Sequence, residues 1–545
     1  MKISLKLLKS PAFFLPFLLI ATFMAIILLK APLRQAFEYH PVDEGIYCNF
    51  GSLMSKGFHL YTQIWNDNAP LFSQLLTFWF KLFGPSVYYA RILVLLFSCL
   101  LLWAFYQTIR MSWGDLPAAI GTVLLALSNA YPRLSVSFMI GLPALALAML
   151  SIYFLSLYNK SGKRIYLFLS AVIMALSLQT KIFHALLVPI MILEILLTPK
   201  DRTQPTRSFY PALIWTGIFL LFYFIVTLFY FGLNFNLFIR QILGLHLNKL
   251  VLSFSSPSLL LEMLSRDYDV FLLALLGAII GLSHKDWRIR IPLIWLLLAV
   301  LILANYDPIW YSYYLLISIP LCWLAAIALQ GLFLRRRVMR LIIAAFLALA
   351  VCRLPLKFNY AALSLWGETT PQERQIINLL SKDNNRWIVT DLTLFAFYAK
   401  ALVVPEMAFF SQKMMQQLRI NQPRNYALTI LDRYKPDKIL MGAWLRKFFL
   451  YNPDICSYIE QNYSLVYQGY LRKEIKWDPY IVLCGWSLKP ILQIIPDNVV
   501  RILRRSPWLS ACLWHIKIPV RYFLGIDYRE TLVQLFQRNN NSSNE

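Results

Sequence analysis

Charged side chains are scarce in this sequence, and acidic ones are the scarcest. Asp, Glu, Lys and Arg make up only 14% of the 545 residues, whereas 59% are hydrophobic, and the mean hydropathy is +0.57. A composition this apolar excludes an ordinary set of water-soluble domains. It also excludes a disordered chain, because 15% of the residues are aromatic.

Cysteine and histidine are rare too, and neither forms a recognisable pattern. The seven cysteines lie far apart without a C-x-x-C pair, and there are only six histidines. The sequence therefore predicts neither a zinc site nor a disulfide framework. Internal repeats, a P-loop and a G-x-G-x-x-G motif are also absent from the sequence.

Basic residues outnumber acidic ones, with 52 Lys and Arg against 27 Asp and Glu and a formal charge of +25. In a soluble protein such an excess would suggest nucleic acid as a partner. Here the basic residues cluster in short loops between long apolar runs, which is the pattern that membrane insertion imposes. We therefore expect membrane lipids as partners, and no nucleic acid.

Long apolar runs dominate the first part of the chain. A span needs about 20 residues to cross the hydrocarbon core, and the sequence predicts about eleven spans. Their approximate extents are 12–29, 86–108, 116–132, 136–158, 165–180, 182–198, 210–231, 270–283, 291–304, 311–330 and 338–354. Lys and Arg are more frequent in the set of alternate loops that includes the N-terminus, which predicts a cytoplasmic N-terminus. An odd number of spans then places the rest of the chain outside the cytoplasm.

The remainder of the chain has the composition of a soluble domain followed by a basic tail. We expect a transmembrane module at 1–354, an extracytoplasmic α/β domain at 355–490 and an amphipathic tail on the lipid headgroups at 491–545. Strands are predicted at 387–391, 438–441, 463–470 and 480–484. The predicted fold class is a polytopic α-helical membrane protein with interfacial outer-loop helices and a C-terminal soluble α/β domain.

The sharpest motif follows the first span, where Asp43 and Glu44 stand next to each other in a long aromatic loop. Carboxylates at the edge of the bilayer suit a general base. Alternatively, Asp43 lies in a solvated loop or caps a helix that runs on through Phe50. The pattern continues with Gly57-x-x-Leu60-Tyr61, Trp65-Asn66-Asp67-Asn68-Ala69-Pro70-Leu71, Leu82-Phe83-Gly84-Pro85-Ser86 and Arg91.

In this order and at these spacings, the motifs resemble those of polytopic GT-C glycosyltransferases of the protein O-mannosyltransferase and lipid A aminoarabinose transferase type. Gln179-Thr180-Lys181 and Tyr313-Tyr314 with Pro320 resemble further segments of that class. The resemblance implies an inverting transfer of a sugar from a polyprenyl-phosphate donor to a lipid, glycan or protein acceptor. It implies a place in the plasma (inner) membrane, with transfer at its outer face, and no cofactor besides the donor substrate.

This transfer implies roles for particular residues, because the acceptor hydroxyl must lose its proton and the departing phosphate needs stabilisation. We expect Asp43 to be the general base, with Glu44 or Asp67 positioning the acceptor or supporting the base. The candidates for holding the donor phosphate are Arg91, Lys181, Arg266, Tyr313 and Tyr314, and those for positioning the substrate are Tyr61 and Asn68.

Some of these candidates have a plainer interpretation. Lys181 is alternatively an anchor that snorkels at the end of a span, and the tyrosine pair is alternatively part of an aromatic belt. Where aminoarabinose transferases carry Glu-Lys-Pro-Pro, this chain has Asp67-Asn68-Ala69-Pro70, so one lysine of that class is missing. Its charge would have to come from Lys56, Arg240 or Arg266.

Asp267 and Asp269 flank Tyr268 in a second long loop and could join Asp43 around a divalent cation. We expect no metal, because a single phosphate leaves little charge to neutralise.

The alternative function is a polytopic transporter or flippase of a lipid-linked or small-molecule substrate. A transporter should concentrate polar residues near mid-membrane and show a repeat between its halves, whereas the acids here lie mostly at span ends and in loops. An inactive relative that binds lipid or acts as a scaffold is a third alternative.

Overall fold

The structure is a computed structural model that describes residues 11–31, 33–34, 43–128, 130–198, 209–232, 234–244, 260, 264, 267–284, 286–306, 311–329, 337–338, 340–348, 369–382, 387–410, 426–450, 452–471, 482–483, 486–487 and 531–539. Apolar helices make up the part before residue 349, and a mixed α/β domain follows from residue 369.

The helices of the first part are α1 (Pro11–Lys30), α2 (Asp43–Ser55), α3 (Leu71–Phe83), α4 (Val87–Trp113), α5 (Asp115–Ala126), α6 (Tyr131–Leu134), α7 (Gly141–Ser161), α8 (Arg164–Thr180), α9 (Leu187–Leu197), α10 (Phe209–Phe231), α11 (Phe235–Phe238), α12 (Tyr268–Ser283), α13 (Arg290–Asn305) and α14 (Leu315–Ala328). Tighter 3₁₀ turns at Ile182–Leu186, Trp287–Ile289 and Tyr311–Tyr314 precede α9, α13 and α14, and a π-helical turn at Ile239–Gly244 follows α11. Residues 340–348 are helical as well.

Four of these segments are long and apolar enough to cross a membrane, judged by length and composition alone. They are α4, α7, α10 and the stretch Trp287–Asn305 that contains α13. Shorter apolar helices, among them α1, α5, α8, α9, α12 and α14, occupy the other predicted spans before residue 331. The helical bundle is thereby confirmed, while the number of crossings stays a prediction.

Helix α14 is the centre of the bundle, since all of its side chains are buried. Two glycines let neighbouring helices approach it closely. A Cβ on Gly277 of α12 would lie 1.9 Å from the Leu324 carbonyl oxygen, and one on Gly121 of α5 would lie 2.9 Å from the Ala326 Cβ. Small residues at crossings are how membrane helices pack. The turn Tyr311–Tyr314 is therefore attached to a rigid element.

The first loop carries two helices that lie against each other, α2 and α3. A Cβ on Gly51 of α2 would meet the side chains of Leu76 and Phe80 of α3 at 3.0 Å. On its other side α2 packs against the C-terminal domain. Almost every residue of α2 from Glu44 to Phe50 is consequently buried.

The C-terminal domain contains helices α15 (Pro371–Ser381), α16 (Thr393–Tyr398), α17 (Tyr426–Tyr434), α18 (Ala443–Leu450) and α19 (Pro453–Asn462). Its strands are β1 (Trp387–Thr390), β2 (Leu402–Val403), β3 (Lys438–Met441), β4 (Tyr463–Leu471), β5 (Val482–Leu483), β6 (Trp486–Ser487) and β7 (Thr531–Arg538). The main sheet has the order β2-β1-β3-β7-β4, and β5 pairs with β6 separately. Strands β2, β1 and β3 are parallel, whereas β7 runs antiparallel to β3 and β4.

Strand β7 corrects the predicted division of the chain. The sequence analysis assigns 491–545 to a tail on the lipid headgroups, but Thr531–Arg538 lies inside the sheet between β3 and β4. Its alternating residues Val533 and Leu535 are fully buried. The alternation of apolar residues in this strand is short, and the basic residues that precede it favour the prediction of a tail instead. The α/β domain thus includes Thr531–Arg538, while 491–530 lie outside the described residues.

Candidate active site

The two adjacent acids begin helix α2 but have different surroundings. The Glu44 side chain is buried and forms a two-pronged ion pair with Arg91 of α4, with Nη2 to Oε2 at 2.7 Å and Nε to Oε1 at 3.2 Å. The Phe138 backbone N–H also donates to Glu44 Oε1 at 2.7 Å, and Arg91 donates to the Leu33 carbonyl at 3.1 Å. Paired carboxylate and guanidinium groups of this geometry bind strongly. We therefore interpret Glu44 and Arg91 as residues that fix α2 on the bundle.

Asp67 lies in a tightly hydrogen-bonded turn after the first loop helix. Its Oδ1 accepts from the Asn68 side chain at 2.6 Å, and only 4% of Asp67 is exposed. The Tyr61 hydroxyl donates to the Asn68 carbonyl at 2.7 Å, and the Asn66 side chain donates to the same carbonyl at 2.9 Å. Tyr61 and Asn68, predicted to position the substrate, thus shape the turn that presents Asp67.

Asp43 and Asp67 both act electrostatically on Tyr47, which lies one helical turn after Asp43. Burial raises the pKa of Tyr47 well above its ordinary value, and the negative charges of Asp43 and Asp67 raise it further. Asp43 itself is half-buried. Two acids from separate segments therefore share one tyrosine neighbour, although they are 24 positions apart in the chain.

A lysine and two tyrosines form the other side of this site. Lys181 Nζ lies 4.3 Å above the ring centre of Tyr313, a cation–π contact. The Tyr313 ring is within 5.9 Å of the Tyr306 ring, and the two hydroxyls are hydrogen-bonded. Asp67 acts electrostatically on both tyrosines. Asp67 of the first loop therefore acts on the same tyrosine that lies under Lys181.

The first turn of helix α7 lies beside the same lysine. A Cβ on Gly141, the first residue of α7, would be 3.5 Å from Lys181 Nζ. Helix N-termini carry a partial positive charge and attract anions. The Lys181 ammonium and the positive end of α7 thus lie side by side, which favours binding of a negatively charged ligand there.

Tyr314 belongs to a different neighbourhood from Tyr313. Its hydroxyl donates to Asp267, and both side chains are buried. Asp269 is also fully buried. Among the residues that the structure describes, no three His, Cys, Asp or Glu side chains form a group that could hold a metal ion. The Tyr314 hydroxyl thus contacts a carboxylate, and its phosphate contact stays a prediction.

The predicted site residues thus divide into three sets. In the first set, Lys181 contacts Tyr313, Asp67 acts electrostatically on Tyr313 and on Tyr47, and Asp43 acts on Tyr47; Tyr61 and Asn68 form the turn that carries Asp67. In the second set, Glu44 pairs with Arg91, and Tyr314 with Asp267. The third set is Arg266, which lies outside the described residues. Sequence reasoning missed Tyr47 and Tyr306. For Tyr47 a signal existed, because residues four apart share a helix face.

Comparison with known proteins finds a matching family model and several solved structures of similar fold. Residues 67–230 match the family model of dolichyl-phosphate-mannose-protein mannosyltransferase. No curated protein sequence matches the chain. The solved structures that are similar include ArnT from Cupriavidus metallidurans bound to undecaprenyl phosphate, with a TM-score of 0.57, 15% identity, and coverage of 84% of this chain and 96% of that one.

A second similar structure is the archaeal oligosaccharyltransferase AglB from Archaeoglobus fulgidus, in complex with an inhibitory peptide and a dolichol-phosphate. Its TM-score is 0.52 at 10% identity, and the match covers 96% of this chain and 88% of that one. The chain therefore shares its fold with these two proteins. The resemblance to GT-C glycosyltransferases of the protein O-mannosyltransferase type is confirmed.

Proposed function

We propose that this protein is a membrane glycosyltransferase that moves a sugar from a polyprenyl-phosphate donor to an acceptor hydroxyl. The observation that carries the proposal is the position of Lys181, which lies over the Tyr313 ring and beside the first residue of α7. Asp67 acts electrostatically on Tyr313, and Asp43 and Asp67 both act on Tyr47. The site combines an acid that can take a proton with cations that can hold a phosphate.

Asp43 is the general base of this proposal. Glu44 is committed to Arg91 and to a backbone N–H, whereas Asp43 is half-buried and acts, together with Asp67, on Tyr47. The acceptor oxygen attacks the anomeric carbon from the face opposite the phosphate, so the configuration inverts. A bond from this carbon to the acceptor oxygen forms, its bond to the phosphate oxygen breaks, and the acceptor proton passes to the Asp43 carboxylate.

The departing phosphate is stabilised by positive charge that is already in place. Lys181 supplies a full charge and the first turn of α7 a partial one, while the Tyr313 ring lies beneath the lysine. Fixed charges aimed at a leaving group lower the barrier without reorganisation. A monophosphate leaving group held in this way does not require a metal ion.

The donor class is supported by the lipid phosphates in the similar structures. The ArnT structure holds undecaprenyl phosphate, and the AglB structure holds a dolichol-phosphate. We propose that the acceptor is a lipid, glycan or protein hydroxyl on the outer face of the plasma membrane, with the N-terminus cytoplasmic and the C-terminal domain outside.

The test measures transfer of radiolabelled sugar from a panel of polyprenyl-phosphate sugars to endogenous acceptor, in membranes that contain equal amounts of each variant. We expect Asp43→Asn to lose about 100-fold or more, the lower range for a general base. Asp454→Asn is the matched control, because it makes the same change at an exposed acid of α19. Transfer of no sugar by the wild type would contradict the proposal and favour the transporter.

A further inference from the structure

The C-terminal domain touches α2 two residues after Asp43. A Cβ on Gly45 would lie 2.3 Å from the Leu394 backbone nitrogen, 2.5 Å from Thr393 Oγ1 and 2.8 Å from the Leu394 Cα. Two of these three atoms belong to the backbone and cannot swing away. Gly45 is therefore needed for the close approach of α16, the helix that begins at Thr393.

Asn49 ties the same two helices together one turn later. Its Nδ2 donates to the Gly45 carbonyl at 2.7 Å and to the Thr393 carbonyl at 2.8 Å, and only 2% of Asn49 is exposed. An amide group has two such protons, so both are used. The buried amide joins the first turn of α2 to a carbonyl that lies 344 positions away in the chain.

The partner side of this contact is itself firmly held. Asp391, two residues before α16, is buried, and its carboxylate accepts from the backbone N–H groups of Gly442, Trp444 and Leu445 at 2.6, 2.8 and 2.9 Å. The Leu392 N–H donates to Thr390 Oγ1 at 2.8 Å. The start of α16 is thus anchored to strand β1 and to the first turn of α18.

Aromatic side chains extend the contact on both sides of Gly45 and Asn49. Phe50 stacks on Phe409 with ring centres 6.3 Å apart, Phe80 of α3 stacks on Phe397 at 5.8 Å, and the Trp65 ring lies 5.0 Å from that of Phe409. Apolar packing of this kind resists sliding, because any shift opens a gap. Helix α2 is therefore pressed between the bundle and the C-terminal domain.

We propose that Gly45 and Asn49 are positioning residues, and that the C-terminal domain acts through them to set the place of the Asp43 carboxylate. This inference rests on the proposed function, because it gives Asp43 a reacting partner to be aligned with. The soluble domain is then part of the catalytic apparatus, whatever it contributes to the choice of acceptor. A misplacement of about 1 Å can cost about 100-fold in rate.

The test compares Asn49→Ser and Gly45→Ala with the wild type in the full-length protein. A serine at 49 can still donate to the Gly45 carbonyl four residues earlier but is too short to reach Thr393, so it removes the contact between domains alone. Three quantities are measured: kcat and KM for sugar transfer, hydrogen exchange of residues 43–50, and binding of undecaprenyl phosphate as the probe of the donor site.

Two matched controls make the same chemical changes elsewhere. Gly51→Ala alters the other face of α2, where the new methyl group meets only side chains of α3. Asn462→Ser alters an asparagine of α19 that also donates to a carbonyl four residues earlier. We expect both controls to stay within about twofold of the wild type in kcat.

We expect each positioning variant to lower kcat about 10-fold or more, to speed exchange at 43–50, and to bind undecaprenyl phosphate as the wild type does. Faster exchange with wild-type kcat would overturn the inference, and so would unchanged exchange. Should Gly45→Ala fail to fold, Asn49→Ser decides alone. A wild type that transfers no sugar contradicts the proposed function instead, while exchange still shows whether the domain holds α2.

Discussion

Asp43 and Glu44 are neighbours in the chain, yet they lie in two regions of opposite character. The polar groups around Glu44 bind one another, since Arg91 and the Phe138 N–H donate to its carboxylate oxygens. Asp43 instead shares its electrostatic effect on Tyr47 with a second acid, Asp67, which also acts on the Tyr313 ring beneath Lys181. A hydrogen-bonded network of the Glu44 kind stabilises the fold. Acids brought close together, by contrast, cost folding free energy and are typical of a ligand site.

The largest expected effect is a loss of stability when the Glu44–Arg91 ion pair is broken. Glu44→Ala leaves the Arg91 guanidinium buried without its carboxylate, which should lower the free energy of unfolding by about 3–5 kcal/mol. The melting temperature of the purified protein checks this. The double variant Glu44→Leu/Arg91→Met should recover part of the loss, because it removes both charges. A Glu44→Ala protein that melts like the wild type but transfers no sugar would break the comparison.

Lys181 provides the corresponding test of the region that contains Asp67 and Tyr313. Lys181→Met keeps the long apolar stem and removes the charge, so transfer should fall about 100-fold while the melting temperature changes little. Lys181→Arg is the control that retains a cation over Tyr313. The result expected of a mere membrane anchor is different: Lys181→Met would keep wild-type transfer, and the phosphate would need another partner.

Asp391 extends the comparison to a second hydrogen-bonded carboxylate, in the C-terminal domain. Asp391→Ala leaves three N–H groups, those of Gly442 and of the first turn of α18, without this acceptor, and we expect the C-terminal domain to lose about 2 kcal/mol. Hydrogen exchange at 387–390 and 438–441 measures this loss. Asp432→Ala, at an exposed position of α17, should leave the exchange unchanged. Equal exchange in both variants would show that Asp391 does not hold β1 to α18.

A smaller effect concerns pH. Burial raises the pKa of Asp391 above its ordinary value, against the opposing effect of the three N–H groups. The folded protein therefore keeps this proton to a higher pH than the unfolded chain does. The contribution of Asp391 to stability is full below the unfolded pKa of about 3.9 and falls as the pH rises through the folded pKa. Denaturation series across this range should show the slope in the wild type and lack it in Asp391→Ala.

Sequence reasoning identifies elements well because they depend on local pattern. Long apolar runs become helices, since a backbone without water must bond internally, and the β-rich runs at 387–391 and 438–441 coincide with β1 and β3. Strand β7 is missed because its eight residues follow a long basic stretch. The joint effect of Asp43 and Asp67 on Tyr47 depends on tertiary structure. In the sequence, only the four-residue spacing from Asp43 to Tyr47 indicates it.

Partner choice within the site could not be predicted for the same reason. Arg91 is a candidate for phosphate from its place inside an apolar run, but its carboxylate partner lies 47 positions earlier. Tyr313 and Tyr314 are indistinguishable in sequence, whereas the turn before α14 directs one to Lys181 and the other to Asp267. Adjacent residues in a turn point in different directions, and only packing decides what each one meets.

The most direct test of the whole account measures sugar transfer and melting temperature for Asp43→Asn and Glu44→Gln side by side. We predict that Asp43→Asn melts like the wild type and loses about 100-fold or more in transfer, whereas Glu44→Gln melts at a lower temperature. An Asp43→Asn protein that is folded and transfers sugar at the wild-type rate would contradict the assignment of Asp43 as the base.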